Sequence, residues 1–185
     1  MSLPSPFRLR RDQSALLVVD VQEKLVPAMF EAERVVRNCS ILAQTARLLD
    51  VPIVVTEQNS AKLGKTVAPL AAALGDYSPH EKMLFSACTP PVLDEIRASG
   101  RNSVVLCGLE THVCVLQTAL DLLDSGFSVF VPANAVSSRY ESDKSAALSR
   151  LGSSGAVSSS TEMLVLEWLR SADHRHFKTV LSLIK

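Results

Sequence analysis

"SVVLCGLETHVCVLQTALDLL", residues 103–123, changes its period halfway along. Ser103 to Gly108 is a short continuous apolar run, as expected of a strand buried on both faces in a parallel sheet. From about Thr111 the apolar residues recur at helical spacing instead. A strand that feeds directly into a helix is half of a βαβ unit, so this stretch points to an α/β protein. It also holds Cys107, His112 and Cys114 within eight residues, which makes it the first place to look for chemistry.

Three other runs resemble the first half: Ser14–Val21 ("SALLVVDV"), Val51–Glu57 ("VPIVVTE") and Phe127–Pro132 ("FSVFVP"). Between the first two, residues 31–50 put Val35, Cys39, Leu42, Ala46 and Leu49 on one helical face, which makes Cys39 a core residue. Residues 89–100 read as a helix with Thr89 as N-cap, two prolines in the first turn and Gly100 as the stop. Residues 142–155 read as another. "AVSSS", residues 156–160, suits a brief last strand, and Ser159 with Glu162 has the spacing of a capping box for the helix beyond it. Strands alternating with helices predict a single-domain, three-layer α/β/α architecture over residues 1–185, with a mostly parallel central sheet and a polar N-terminal arm at 1–13. Ligands of such folds lie at the carboxyl ends of the strands. Those ends are Asp20, Glu57, Gly108 and Pro132 to Asn134.

The chain has 185 residues, 47% of them hydrophobic, enough for one domain with a sizeable core. Lys+Arg and Asp+Glu both number 19, so no net field steers the molecule to nucleic acid or an acidic membrane. A small, weakly charged substrate is expected, with no cofactor. No apolar run approaches the roughly 20 residues that span a bilayer. The four cysteines, Cys39, Cys88, Cys107 and Cys114, show no repeated spacing and read as reduced thiols of an intracellular, cytoplasmic protein. Arg8, Arg10 and Arg11 precede the first acid, Asp12, so a short mitochondrial presequence is the alternative to an ordinary polar arm.

Zinc would need Cys or His ligands at regular spacing with a second pair elsewhere, and His80, His112, His174 and His176 supply none. A disulfide between Cys107 and Cys114 is disfavoured by compartment and by strand-to-helix geometry. Cys114 is then a nucleophile or a buried structural thiol. In the first turn of a helix it meets free N–H groups and the positive end of the dipole, which should lower its pKa, and the same N–H groups could hold an oxyanion. Asp20 ends the most apolar strand, where a charge must be paired, and Lys82 leads into an apolar segment. The plain alternatives are a turn cap for Asp20 and a surface position for Lys82. Spacing alone does not join the three.

The order of "LLVVDVQEK" (16–24), "VPIVVTEQ" (51–58), "EKMLFSA" (81–87) and "LCGLETHVCVLQTALDLLDSGF" (106–127) resembles the isochorismatase-like cysteine hydrolases over nearly the whole chain. "SSR" at 137–139 and the ending "HFKTVLSLIK" are most similar to the isochorismatase-domain-containing subgroup. The resemblance implies a triad of Asp20, Lys82 and Cys114 and a non-proline cis peptide between Leu109 and Glu110. It further implies an oxyanion site from the Glu110 and Cys114 N–H groups, and a homo-oligomer. Gln22, Gln58, Phe85 and His112, with the loop "QNSAKLGKT", are the expected pocket.

Two departures from related patterns matter. Nicotinamidase-type relatives hold a metal through an Asp-x-His element after the second strand, and "TEQNSAKLGKT" has neither residue, so no catalytic metal is expected. Isochorismatases that cleave a vinyl ether lack the cysteine, so its presence implies a thioester route on an amide or related carbonyl. Asn134 stands where the subgroup often has aspartate. The competing classes are a ribonuclease or RNA-associated protein, a label carried by some protist relatives, and a non-enzymatic interaction protein. Zero net charge and 5% aromatic residues weigh against the first, and the intact triad against the second.

Overall fold

The computed structural model describes residues 8–185. The first seven residues of the expected arm, and the presequence alternative with them, lie outside the described residues. From Arg8 onward the arm is anchored through Leu9. Leu9 is fully buried and its N–H donates to Glu167 Oε2 at 2.8 Å, and residues 11–13 form a 3-10 turn into the sheet.

The strands are β1 (Ser14–Val19), β2 (Ile53–Gln58), β3 (His80–Lys82), β4 (Ser103–Leu109), β5 (Ser128–Pro132), β6 (Val136–Ser137) and β7 (Val157–Ser159). They form one sheet in the order β3-β2-β1-β4-β5-β7, with β6 beside the end of β4 and every pairing parallel. β1 and β4 are central and buried at every position, as their unbroken apolar runs require. Alternate residues serve opposite faces. Leu16, Val18, Val105 and Cys107 enter one core with helices α1 (Ala32–Leu48), α3 (Ala68–Leu74), α7 (Thr161–Leu169) and α8 (Phe177–Ile184). Ala15, Leu17, Val104 and Leu106 enter the other, with α4 (Pro90–Ala98), α5 (Leu116–Asp124) and α6 (Glu141–Ser153). The three-layer single domain expected from the alternation is what forms.

β3, β6, the four-residue α2 (Ser60–Leu63), α3 and α8 have no counterpart in the sequence reading. β3 and β6 span three and two residues, too few for a period to register. The capping box is corrected by one residue. β7 holds Ser159 in the sheet opposite Pro132, so the N-cap of α7 is Ser160, whose Oγ accepts the Met163 N–H at 3.3 Å. The third helical position is then Met163 and not Glu162, and no box forms.

β1 leads to β2 on one side while the chain returns through β4 on the other, so connections part between β1 and β4. This is where an open α/β sheet leaves a crevice at its carboxyl edge. Gly108 lets the two strands close there: a Cβ at this position would lie 2.0 Å from Val19 O, and its φ of 120° suits only glycine.

Candidate active site

Asp20 follows β1 directly, with φ 53°, a left-handed conformation uncommon for aspartate. That turn aims the carboxylate across the end of the sheet. Its Oδ1 accepts from Thr56 Oγ1 at 2.8 Å, and its Oδ2 lies 2.6 Å from Lys82 Nζ. Lys82 is the last residue of β3, two strands away, and is 4% exposed. Its surface reading is thereby corrected: the short strand β3 turns it inward.

The ammonium meets four oxygens: Asp20 Oδ2, Gln58 Oε1 at 2.8 Å, Phe85 O at 3.0 Å and Leu84 O at 3.2 Å. Three protons thus serve four acceptors, which compensates a cation buried this deeply. Because the loop after β3 turns carbonyls inward to Lys82, its side chains face out. Met83, Leu84 and Phe85 are 70%, 66% and 55% exposed.

The peptide Leu109–Glu110 is cis. Thr111–Val115 then forms one π-helical turn before α5, so Cys114 sits in a widened first turn. Such turns concentrate at functional sites. Thr118 fixes this turn to the Lys82 loop: its Oγ1 donates to Cys114 O at 2.6 Å and accepts the Ala87 N–H at 2.8 Å. The Cys114 thiol lies near enough to the Asp20 carboxyl group and the Lys82 ammonium for both to act on its ionisation. Asp20 and Lys82 thus pair across the ends of β1 and β3, and Cys114 lies in the turn that follows β4.

The expectation of a lowered Cys114 pKa is overturned. Burial, then the Asp20 charge, push the thiol up to about 12; Lys82 and the Glu110 N–H pull the other way and lose. At 7% exposure the thiol has little water to stabilise a thiolate, and the Asp20 charge opposes one. Asp20 is also raised from its ordinary value, by burial first, against the opposing pull of Lys82 and Thr56. The site sets a thiol, held protonated by its surroundings, near a buried carboxyl group. Cys107 is fully buried and pushed up by its contact with Cys39 and by burial, as a structural thiol would be.

The four expected pocket residues divide. Gln22 is fully buried; its Nε2 donates to Gln58 O at 3.0 Å and Gly64 O at 2.7 Å, and its Oε1 accepts the Gln58 N–H at 2.7 Å. It braces the loop and presents no free polar atom. Gln58 gives Oε1 to Lys82 and Nε2 to Met83 O. Phe85 and His112 stand nearer solvent, with His112 Nδ1 2.9 Å from Ser138 Oγ. Asn134 caps the start of α7, its Oδ1 accepting from Thr161 N and Oγ1. Thr56 and Thr118 were not singled out from sequence; each is a hydroxyl on an otherwise apolar buried face, and that was the available signal. Among the described residues no three His, Cys, Asp or Glu side chains gather as metal ligands.

The description Isochorismatase domain matches residues 14–163. Isochorismatase domain-containing protein 2 of Danio rerio is 40% identical over 178 residues, covering 96% of this chain and 89% of that protein. The secreted isochorismatase effector Isc1 of Phytophthora sojae is 40% identical over 183 residues, covering 96% and 87%. The solved structure of the MAR1 ribonuclease from Caenorhabditis elegans superposes with a TM-score of 0.91 at 38% identity, covering 96% and 92%. With the match spanning both the Asp20 and the Cys114 strands, the chain belongs to the isochorismatase family.

Proposed function

We propose that this family member is a cysteine hydrolase of a small amide or related carbonyl compound. The observation that carries this reading is the Cys114 thiol set against a buried carboxylate that Lys82 holds at 2.6 Å. Cys114 Sγ attacks the carbonyl carbon as Asp20 takes the thiol proton. The carbonyl oxygen becomes an oxyanion facing the Glu110 and Cys114 N–H groups. When the tetrahedral intermediate collapses, the C–N bond breaks and Asp20 returns the proton to the leaving nitrogen. Water, giving a proton to Asp20, then attacks the thioester; the acid departs and the sulfur recovers the proton. Lys82 takes no proton in this scheme. It keeps Asp20 ionised and in place.

Phe85 and His112 give the substrate one apolar and one polar wall. A ribonuclease role, which the name of the nematode protein carries, finds less support at this site. Lys82, the cation of the triad, is paired and almost wholly buried, whereas phosphates need exposed cations. The exposed Met83, Leu84 and Phe85 side chains favour a homo-oligomer. No helix among the described residues is long and apolar enough to cross a membrane.

The test is a panel of small amides offered to the purified protein, with Cys114→Ser as control. Turnover of one of them, absent in the variant, and a covalent acyl adduct on the Cys114 peptide by mass spectrometry are expected. Equal turnover by Cys114→Ser sinks the nucleophile.

A further inference from the structure

At the end of the sheet opposite the triad, about 20 Å away by the rise of the six residues of β1, lies a cleft of about 450 Å³. Arg8, Arg10 and Arg11 enter it from the segment before β1, and Arg170 from the end of α7; Trp168 and Leu169 form its floor. Asp12 is the one acid on its lining, and its carboxylate is taken by Arg10 in a two-pronged contact at 3.1 and 3.3 Å. Among the described residues, Arg8, Arg11 and Arg170 have no carboxylate within 4 Å. A chain with zero net charge has thus gathered three unpaired guanidinium groups in one small cavity. The carbonyl end of α7 offsets only about half a charge of this.

A second observation shows that the cleft lacks acceptors. Trp168 is 1% exposed, and its indole N–H, which can only donate, has no partner among the described residues. Leaving such a donor unpaired is costly. Beside it, His174 Nδ1 accepts the His176 N–H at 3.2 Å while Nε2 lies 3.1 Å from Arg11 Nη1. A neutral imidazole has one donor and one acceptor nitrogen, so one of these contacts is donor to donor. Arg101 Nε, in the depression adjoining Arg11 and His174, is also buried without a partner among the described residues.

We infer that this cleft is a second binding site, distinct from the triad, for a small organic phosphate. The volume suits a small molecule. Guanidinium forks match phosphate geometry, and three unpaired cations fit a di- or trianion better than a single carboxylate. Trp168 and Leu169, almost wholly buried, back the cleft from beneath.

Trp168 is the chain's one tryptophan, so its indole N–H gives a single resonance that reports on this cleft alone. The full-length protein is titrated with phenyl phosphate, pyrophosphate, benzoate and a short single-stranded RNA at matched ionic strength. Phenyl phosphate and pyrophosphate should shift the indole resonance saturably at 1:1 in wild type and in Cys114→Ala. Benzoate should bind at least about tenfold more weakly, and Arg11→Gln and Arg170→Gln should each weaken phenyl phosphate by about tenfold or more. The inference is overturned by an indole resonance indifferent to both phosphates, by equal affinity in the two arginine variants, by benzoate binding as well as phenyl phosphate, or by RNA binding where the small phosphates do not.

Discussion

Lys82 Nζ sits 2.6 Å from Asp20 Oδ2, and neither side chain is more than 1% exposed. A pair buried this deeply pays a desolvation cost that its Coulomb attraction only partly recovers, so it is weak support for stability. Its place beside the Cys114 thiol gives it a different use. In the proposed reaction the cation favours the ionised form of the base, against the burial that opposes it.

The first prediction follows from the order of effects on Cys114: burial, then Asp20, raise its pKa, and Lys82 lowers it. Asp20→Asn removes the negative neighbour and should move the alkylation profile of Cys114 to lower pH. The same variant should slow turnover by about 10²–10⁴-fold, because Asn accepts no proton. Lys82→Met should move the profile to higher pH. Iodoacetamide labelling read by mass spectrometry across pH decides it, and one common curve for all three proteins removes both residues from the ionisation of the thiol.

Asp20 must be ionised to act, and burial raises its pKa from the ordinary aspartate value. Turnover should therefore fall on acidification at a pH above the usual aspartate range. A pH profile of kcat/KM is the measurement. An acid limb at or below the ordinary aspartate value contradicts the assignment of Asp20 as base.

The Cys114 thiol also makes stability depend on alkaline pH. Its folded pKa of about 12 exceeds the ordinary value of 9.0, so above pH 9 the unfolded chain has lost a proton that the folded chain keeps. That stability is fully present below pH 9 and is lost as pH rises toward 12. The slope is about 1.4 kcal/mol per pH unit for one group. Urea unfolding at pH 8, 9 and 10 should show a smaller alkaline loss in Cys114→Ala than in wild type.

Gly108→Ala should destabilise by at least about 3 kcal/mol, since the new methyl would meet Val19 O at 2.0 Å in a conformation alanine avoids. The strand end carrying Asp20 would have to move, so residual folded protein should also lose turnover. Chemical denaturation with an activity assay measures both, and wild-type values for the two would refute the close approach.

Met83, Leu84 and Phe85 leave three consecutive apolar side chains outside. Sedimentation should show a dimer or larger assembly at micromolar concentration, and Leu84→Glu should shift it toward smaller species. A 20 kDa monomer for wild type contradicts the assembly.

The sequence alone determined the layered architecture, because β1 and β4 are unbroken apolar runs and α1 repeats its apolar face at helical spacing. Those are local periods, set by burial on one or both faces. It marked Asp20 and Cys114 as well, each at a change of period. For Lys82 it offered only the apolar segment that follows: nothing in "HEK" says that three residues pair with β2 and turn an ammonium inward, because that pairing is settled by a partner strand more than twenty residues earlier. Nor could the sequence give the ionisation of Cys114. The helix start argued for a lower pKa, and only the folded chain sets a carboxylate and a dry wall against the sulfur, which together outweigh a few N–H dipoles.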